Sequence, residues 1–196
     1  MNFQVVNILE TEKRLSSDGL NSLLSSFSCP QNKHIEHFLL CNALACAKQR
    51  FAITYLVLNQ LGELVGFFTL AHKPVFFEKT MLDGKRRRRV KQFCVRSLDD
   101  SPETDPPLLT SAFLIAQLAK NSSELDGDKA NGGELLDFAI QVLEDIQQSI
   151  GGGIIFLECE NQQKLLDFYQ KHGFRKFGER STVATGEFYH QLLMVF

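Results

Sequence analysis

The 196-residue sequence contains no run of apolar residues near the roughly 18 that a membrane span requires, so nothing in it predicts a transmembrane helix. No C-x-x-C pair and no close histidine cluster accompanies its five cysteines, which removes the common zinc frameworks. Cys29, Cys41, Cys46, Cys94 and Cys159 are an odd set, and they read as buried free thiols. The formal charge is only -2, which gives no global reason to expect a membrane or nucleic-acid partner. The opening "MNFQVVNILETEKR" lacks the basic, apolar and small-residue order of a secretory signal, so the expected location is cytoplasmic. There is no internal repeat and no low-complexity tract.

What is present describes an ordinary globular chain. A hydrophobic fraction of 44% with 22% charged residues supports one large core and, by default, a single domain over residues 1–196. Residues 3–8 read as a first strand. Residues 32–49 place Ile35, Phe38, Leu39 and Asn42 at helical spacing after a Cys-Pro turn. "FAITYLVLNQLGELVGFFTLAHK" holds two β-rich runs, residues 51–58 and 63–71, around a polar turn, and predicts a β-hairpin. The stretch "MLDGKRRRRVKQFCVRSLDDSPETDPP" then mixes a basic block, an acidic block and three prolines. It predicts an extended or mobile insertion over about residues 78–107. Its basic block, residues 85–91, reads first as a solvated charged face and second as a grip for phosphates.

Regular signals return with "LLTSAFLIAQLAK", a buried strand, and "GGELLDFAIQVLEDIQQSI", a helix with Leu135, Phe138, Ala139, Val142, Leu143 and Ile146 on one side. A glycine turn, the strand "IIFLECE", the amphipathic helix in "ENQQKLLDFYQKHGF" and two final strands, around residues 174–179 and 187–196, complete the chain. Two successive strand-to-helix units bring two helix N-termini to the same side of a sheet, at the carboxyl ends of their strands, where α/β folds bind ligands. Asn131, Gly132 and Gly133 precede the first helix, and free N–H groups there favour an anion. The plain alternative for the glycines is turn geometry. Asn161 is placed to cap the second helix. On that helix Leu165, Phe168 and Tyr169 share one face, which most often means a core.

The ordered set from the anion-ready loop to "FYQKHGF", residues 168–174, resembles the GNAT acetyltransferases over about residues 109–196. The first half, through "FSCPQNKHIEHFLLCNALACAKQ" and "TYLVLNQLGELVGFFTLA", is similar to the acetyltransferase toxins that modify aminoacyl-tRNA. "LIAQLAK", residues 114–120, is similar to the fourth strand of that branch. The resemblance implies an α/β (α+β) GNAT fold: a mixed central sheet of six to seven strands, splayed parallel strands 4 and 5, and about four flanking helices. It further implies an acetyl-CoA-dependent N-acetyltransferase. Leu118, Ala119 and Lys120 would face the pantetheine arm, while Asn131, Gly132 and Gly133, with Asn161 nearby, would contribute to holding the cofactor. Tyr169 would be the general acid that protonates the coenzyme A thiolate. Set against the family's Q/R-x-x-G-x-G/A loop, residues 127–132 match well only at Gly132.

The acceptor is left open among a small-molecule amine, a protein and an aminoacyl-tRNA, with a homodimer among the expected assemblies and an antitoxin partner if the toxin branch holds. A lysine-like amine near pKa ~10.4 costs about 4 to 5 kcal/mol to deprotonate at pH 7, against about 1 to 1.5 for an α-amine near ~8. Glu158, Glu160, Glu63 and His72 are the candidate bases, and no motif singles one out. The absence of an obvious base favours an α-amine. A different class of reading is a non-catalytic interaction module that keeps the fold without the donor.

Overall fold

The computed structural model describes residues 3–77, 81–94, 108–182 and 186–196. Its strands run in the order β1-β2-β3-β4-β5-β7-β6, a mixed seven-stranded sheet in which β4 and β5 are parallel. The chain divides into two compact units, Met1–Ala71 with Ile115–Asp145 and His72–Leu114 with Ile146–Phe196.

In the first unit, β1 (Gln4–Asn7) leads directly into α1 (Ile8–Ser25). Asn7 ends the strand and caps the helix, its side chain accepting from the Leu9 N–H at 2.9 Å and so meeting one of the orphan donors of the first turn. A short helix α2 (Lys33–His37), a π-helical turn over Phe38–Asn42 and α3 (Ala43–Lys48) follow. Next come β2 (Ile53–Leu58) and the first part of β3 (Leu64–Phe77). β1 pairs antiparallel with β2, Val5 opposite Val57, and β2 with β3, Thr54 opposite Thr69. The two threonine hydroxyls, fully buried, satisfy each other at 2.8 Å. Ile8, Leu20, Leu24, Phe27, Leu39, Leu56 and Phe67 form the core of this unit.

The second unit holds α4 (Gly84–Lys91), β5 (Ile154–Glu160), α6 (Gln163–Lys171), β6 (Arg175–Ser181) and β7 (Phe188–Val195). β7 pairs antiparallel with both β5, Phe156 opposite Leu193, and β6. The last strand of the terminal hairpin is therefore the inner one. Phe77, Val90, Ile154, Phe156, Phe177 and Leu193 make its core, with the Phe77 and Phe177 rings edge to face at 4.8 Å. Three elements pass through both units: β3, β4 (Leu108–Lys120) and α5 (Gly132–Ile150).

Four expectations change. The helix expected over residues 32–49 is broken by the π-helical turn. β3 runs on to Phe77. The basic block, expected within extended chain, is helix α4; residues 78–80 and 95–107 of that insertion lie outside the described residues. The cysteines are free, as read, but only Cys29 and Cys159 are buried; Cys41 is exposed because it sits on the outer side of the π-helical turn. No described helix is long and apolar enough to cross a membrane.

Candidate active site

In the first unit the carboxyl end of β4 presents Leu118 half-buried, Ala119 buried and Lys120 exposed. The chain is then fixed by Asn121. Its side-chain amide donates to the backbone oxygens of Ser26 and Leu64 at 3.1 and 2.7 Å, and its oxygen accepts from the N–H groups of Ser28 and Ser123, both at 2.9 Å. A buried asparagine with all these bonds made is a stable anchor, since each unmade one would carry a desolvation penalty.

The far side of the same loop is held by Glu63. Its carboxylate accepts from the Asp126 and Gly127 N–H groups at 3.0 and 2.9 Å and from the Asn59 amide at 2.6 Å. The Asn59 amide comes first in holding the Glu63 carboxyl below its ordinary value, the two loop amides next. Glycine at 127 leaves room for this approach, since a Cβ there would lie 2.5 Å from the Asn59 side-chain nitrogen and the Asn59–Glu63 pair would have to shift. Glu63, a candidate base by sequence, is thus a clamp on the loop.

The sign of its pH dependence follows from the depressed pKa. The clamp is fully made above the ordinary glutamate range, near ~4.3, and is lost as pH falls through the lower folded value. Glu63→Gln, which imitates the protonated state, is expected to speed amide hydrogen exchange at Asp126 and Gly127 several-fold at neutral pH, where wild type stays protected. Equal exchange in the two proteins would remove the clamp.

At the end of the loop Asn131 starts α5. The Asn131 side-chain oxygen accepts from the Glu134 N–H at 3.0 Å, and the Glu134 carboxylate accepts from the Asn131 N–H at 2.8 Å. This reciprocal capping box is legible in the sequence as N-x-x-E, a signal that the neighbouring glycines overshadow. It uses the Asn131 donor internally. The Gly132 and Gly133 N–H groups have no acceptor among the described residues, so two donors at the positive end of the helix fit an anionic group such as a phosphate.

In the second unit the carboxyl end of β5 carries Glu158, Cys159 and Glu160. Arg180 from β6 holds Glu158 in a two-pronged pair, Nε at 2.9 Å and Nη2 at 2.6 Å, and the Gln191 amide adds a bond at 2.8 Å. Burial pushes the Glu158 carboxyl up, but the guanidinium and amide together more than offset it and leave it below its usual value. Cys159, buried and next to Glu160, has its thiol pushed up to about 11, so it remains a protonated, unreactive core residue.

Asn161 does not cap α6. The Gln162 N–H bonds to the Glu160 oxygen at 2.7 Å, a tight turn that consumes one residue, and the helix begins at Gln163 with Gln162 in the cap position. Asn161 is left exposed outside the helix.

Tyr169 is fixed by how α6 ends. Gly173 adopts φ +93°, a left-handed conformation that glycine takes without strain. The Phe174 N–H bonds to the Tyr169 oxygen at 3.1 Å and the Gly173 N–H to the Gln170 oxygen at 3.2 Å. This is a Schellman motif, and its usual apolar contact between third-last and second-following residues is the Tyr169–Phe174 ring pair at 5.9 Å. Phe168 flanks the ring at 5.0 Å. Burial raises the Tyr169 pKa above the ordinary phenol value, with the neighbouring Cys159 adding to the shift. The phenol therefore keeps its proton throughout the neutral range. Of the sequence-derived residues, Leu118, Ala119, Lys120, Asn131, Gly132 and Gly133 fall in the first unit, Asn161 and Tyr169 in the second.

The strand order with parallel β4 and β5 is that of the GNAT fold. Solved structures agree over nearly the whole chain. AtaT complexed with acetyl-methionyl-tRNAfMet is similar over 96% of this chain and 94% of its own, at 14% identity and a TM-score of 0.63. A mutant of KacT is similar over 97% and 95%, at 15% identity and 0.63. AtaTR bound with acetyl-CoA is similar over 99% and 94%, at 17% identity and 0.60. No family model matches the sequence, and no curated protein does. At such identities the likeness establishes the fold, and the chemistry has to be argued from the residues.

Proposed function

We propose that the chain is an acetyl-CoA-dependent N-acetyltransferase, working as one domain, whose acceptor is the α-amino group of an aminoacyl-tRNA. The observation that carries the reading is the Schellman-locked, protonated Tyr169 at the end of α6, in a chain whose fold is that of AtaT and KacT. The Gly132 and Gly133 N–H groups receive phosphate oxygens of the donor, and the backbone of Leu118, Ala119 and Lys120 lies along its pantetheine arm. The amine nitrogen attacks the thioester carbonyl carbon and the C–S bond breaks. Tyr169 gives its proton to the departing thiolate, the amine releases its proton to solvent, and solvent returns one proton to the phenolate.

The choice of an α-amine rests on the carboxylates. Glu158 is engaged by Arg180 and Gln191, and Glu63 by the loop. The Glu160 carboxylate accepts from the Gln162 side-chain amide at 2.6 Å, and His72 is exposed beside the Phe113 ring at 5.4 Å. With these carboxylates committed, an acceptor that is neutral in a useful fraction at pH 7, at a cost of about 1 to 1.5 kcal/mol, fits better than a lysine.

A second reading, a non-catalytic module, draws on the capping box, which places the Glu134 carboxylate beside the donors a pyrophosphate would use. Calorimetry separates the two. Saturable acetyl-CoA binding, together with transfer of radiolabelled acetyl onto charged tRNA, is the expected result. A well-folded protein that binds no acetyl-CoA would leave the module reading in place of the enzyme.

A further inference from the structure

We infer that α4 is a docking element for an RNA phosphate backbone, which rests on the aminoacyl-tRNA reading of the acceptor and assigns it a second point of contact. The helix "GKRRRRVK" carries Lys85, Arg86, Arg87, Arg88, Arg89 and Lys91 within eight residues. It is a built element. Asp83 caps it, its side chain accepting from the Arg86 N–H at 2.9 Å, and Val90 is fully buried. Past its end the Phe93 ring lies over Gly153, where no Cβ would fit, and the Thr110 hydroxyl donates to the Phe93 oxygen at 2.7 Å.

Lys85 lies beside the Asp83 carboxylate, and the other five cations divide into two sets. Arg86 pairs with Asp83 at 2.8 Å, and Arg89 donates to the last two backbone oxygens, Val195 and Phe196, at 3.2 and 2.9 Å. Those two serve the fold. Arg87, Arg88 and Lys91 are exposed and take part in no ion pair among the described residues. Arg87 and Lys91, four apart on one helix, repel each other, which stability alone disfavours. A like-charged row of this kind is relieved when it meets a polyanion.

Distance then selects the occupant. The Phe93 contact lies at Gly153, just before β5, whereas Cys159 and Tyr169 belong to the region of its carboxyl end, all within the second unit. Seven strand residues at about 3.3 Å each separate the two ends by roughly 20 Å. An acceptor the size of an amino acid cannot touch both. A nucleic acid, with charge spaced every few ångströms along its backbone, can reach from one to the other, and charge complementarity favours its phosphates.

The experiment uses full-length protein and a triple variant, Arg87→Gln, Arg88→Gln and Lys91→Gln, in which Arg86 and Arg89 keep their structural bonds. Binding of deacylated tRNA is measured by filter retention across a salt series. We expect at least about tenfold weaker binding by the variant at low salt and a log–log salt slope shallower by about 2 to 3, one unit per lost phosphate contact. On Met-tRNA, kcat/KM falls in the same proportion relative to kcat/KM on a free α-amine such as methionine amide. Identical affinity and slope in the two proteins overturn the inference, as does displacement of tRNA by polyglutamate as readily as by an RNA duplex of equal charge. Loss of tRNA binding by the variant, with no acetyl transfer to Met-tRNA by wild type, would retain α4 as an RNA site and sink the acceptor reading. Transfer to Met-tRNA equally fast in both proteins would do the reverse.

Discussion

Replacing Tyr169 by phenylalanine lowers kcat for acetyl transfer by about 10²- to 10⁴-fold, the range of a positioned general acid, while calorimetric affinity for acetyl-CoA stays within about twofold. The substitution removes one oxygen and leaves the ring, so the contacts with Phe168 and Phe174 and the Schellman bonds of the backbone survive. The raised pKa of the phenol sharpens the expectation. A donor above the ordinary phenol value, facing a thiolate whose conjugate thiol lies near ~8.5, gives up its proton uphill. Its first contribution is therefore a hydrogen bond to the charge developing on sulfur, completed by proton transfer as the amine releases its own proton. The pH profile follows with a definite sign. Because the shift is upward, the acid form persists through the alkaline range, and wild-type kcat/KM should rise with the ionisation of an α-amine near ~8 and show no falling limb below about pH 10. Full turnover by Tyr169→Phe, or a falling limb near neutrality, would take the acid role away from this residue.

The parts of this arrangement that are legible in the sequence are local and continuous. "LLTSAFLIAQLAK", "GGELLDFAIQVLEDIQQSI" and "IIFLECE" read at the bounds the structure gives them, because long apolar runs and a single helical period survive any context. α1 is not legible in this way. Ser16, at φ 64° and ψ 171°, breaks the helix geometry in its middle, so the buried Ile8 and Thr11 on one side and Leu20 and Leu24 on the other do not keep one phase. Glu63 cannot be read as a loop clamp, since the amides it holds lie more than sixty residues away and no spacing rule connects them. Asn161 shows the limit of local rules in another way. Asparagine is a good cap, but a turn one residue long decides whether it stands at the cap or outside it.

Truncating Phe174 to alanine is expected to cost about 3 to 5 kcal/mol in urea unfolding, a large share of the roughly 5 to 15 kcal/mol of an ordinary domain. The side chain is fully buried, and it is the second half of the Schellman contact that holds Tyr169. The residue thus links stability to chemistry. Phe174→Leu, which restores much of the volume, should recover most of the stability. It lacks the ring edge that meets Tyr169, so it should recover less of the rate. A cycle between Phe174→Leu and Tyr169→Phe separates the two roles. If Phe174 acts on turnover by aiming the phenol, its rate effect vanishes once the hydroxyl is gone, and the double variant is no slower than Tyr169→Phe alone. If the two rate losses multiply instead, Phe174 is only a core residue, and the end of α6 aims Tyr169 through the backbone bonds that Gly173 makes possible.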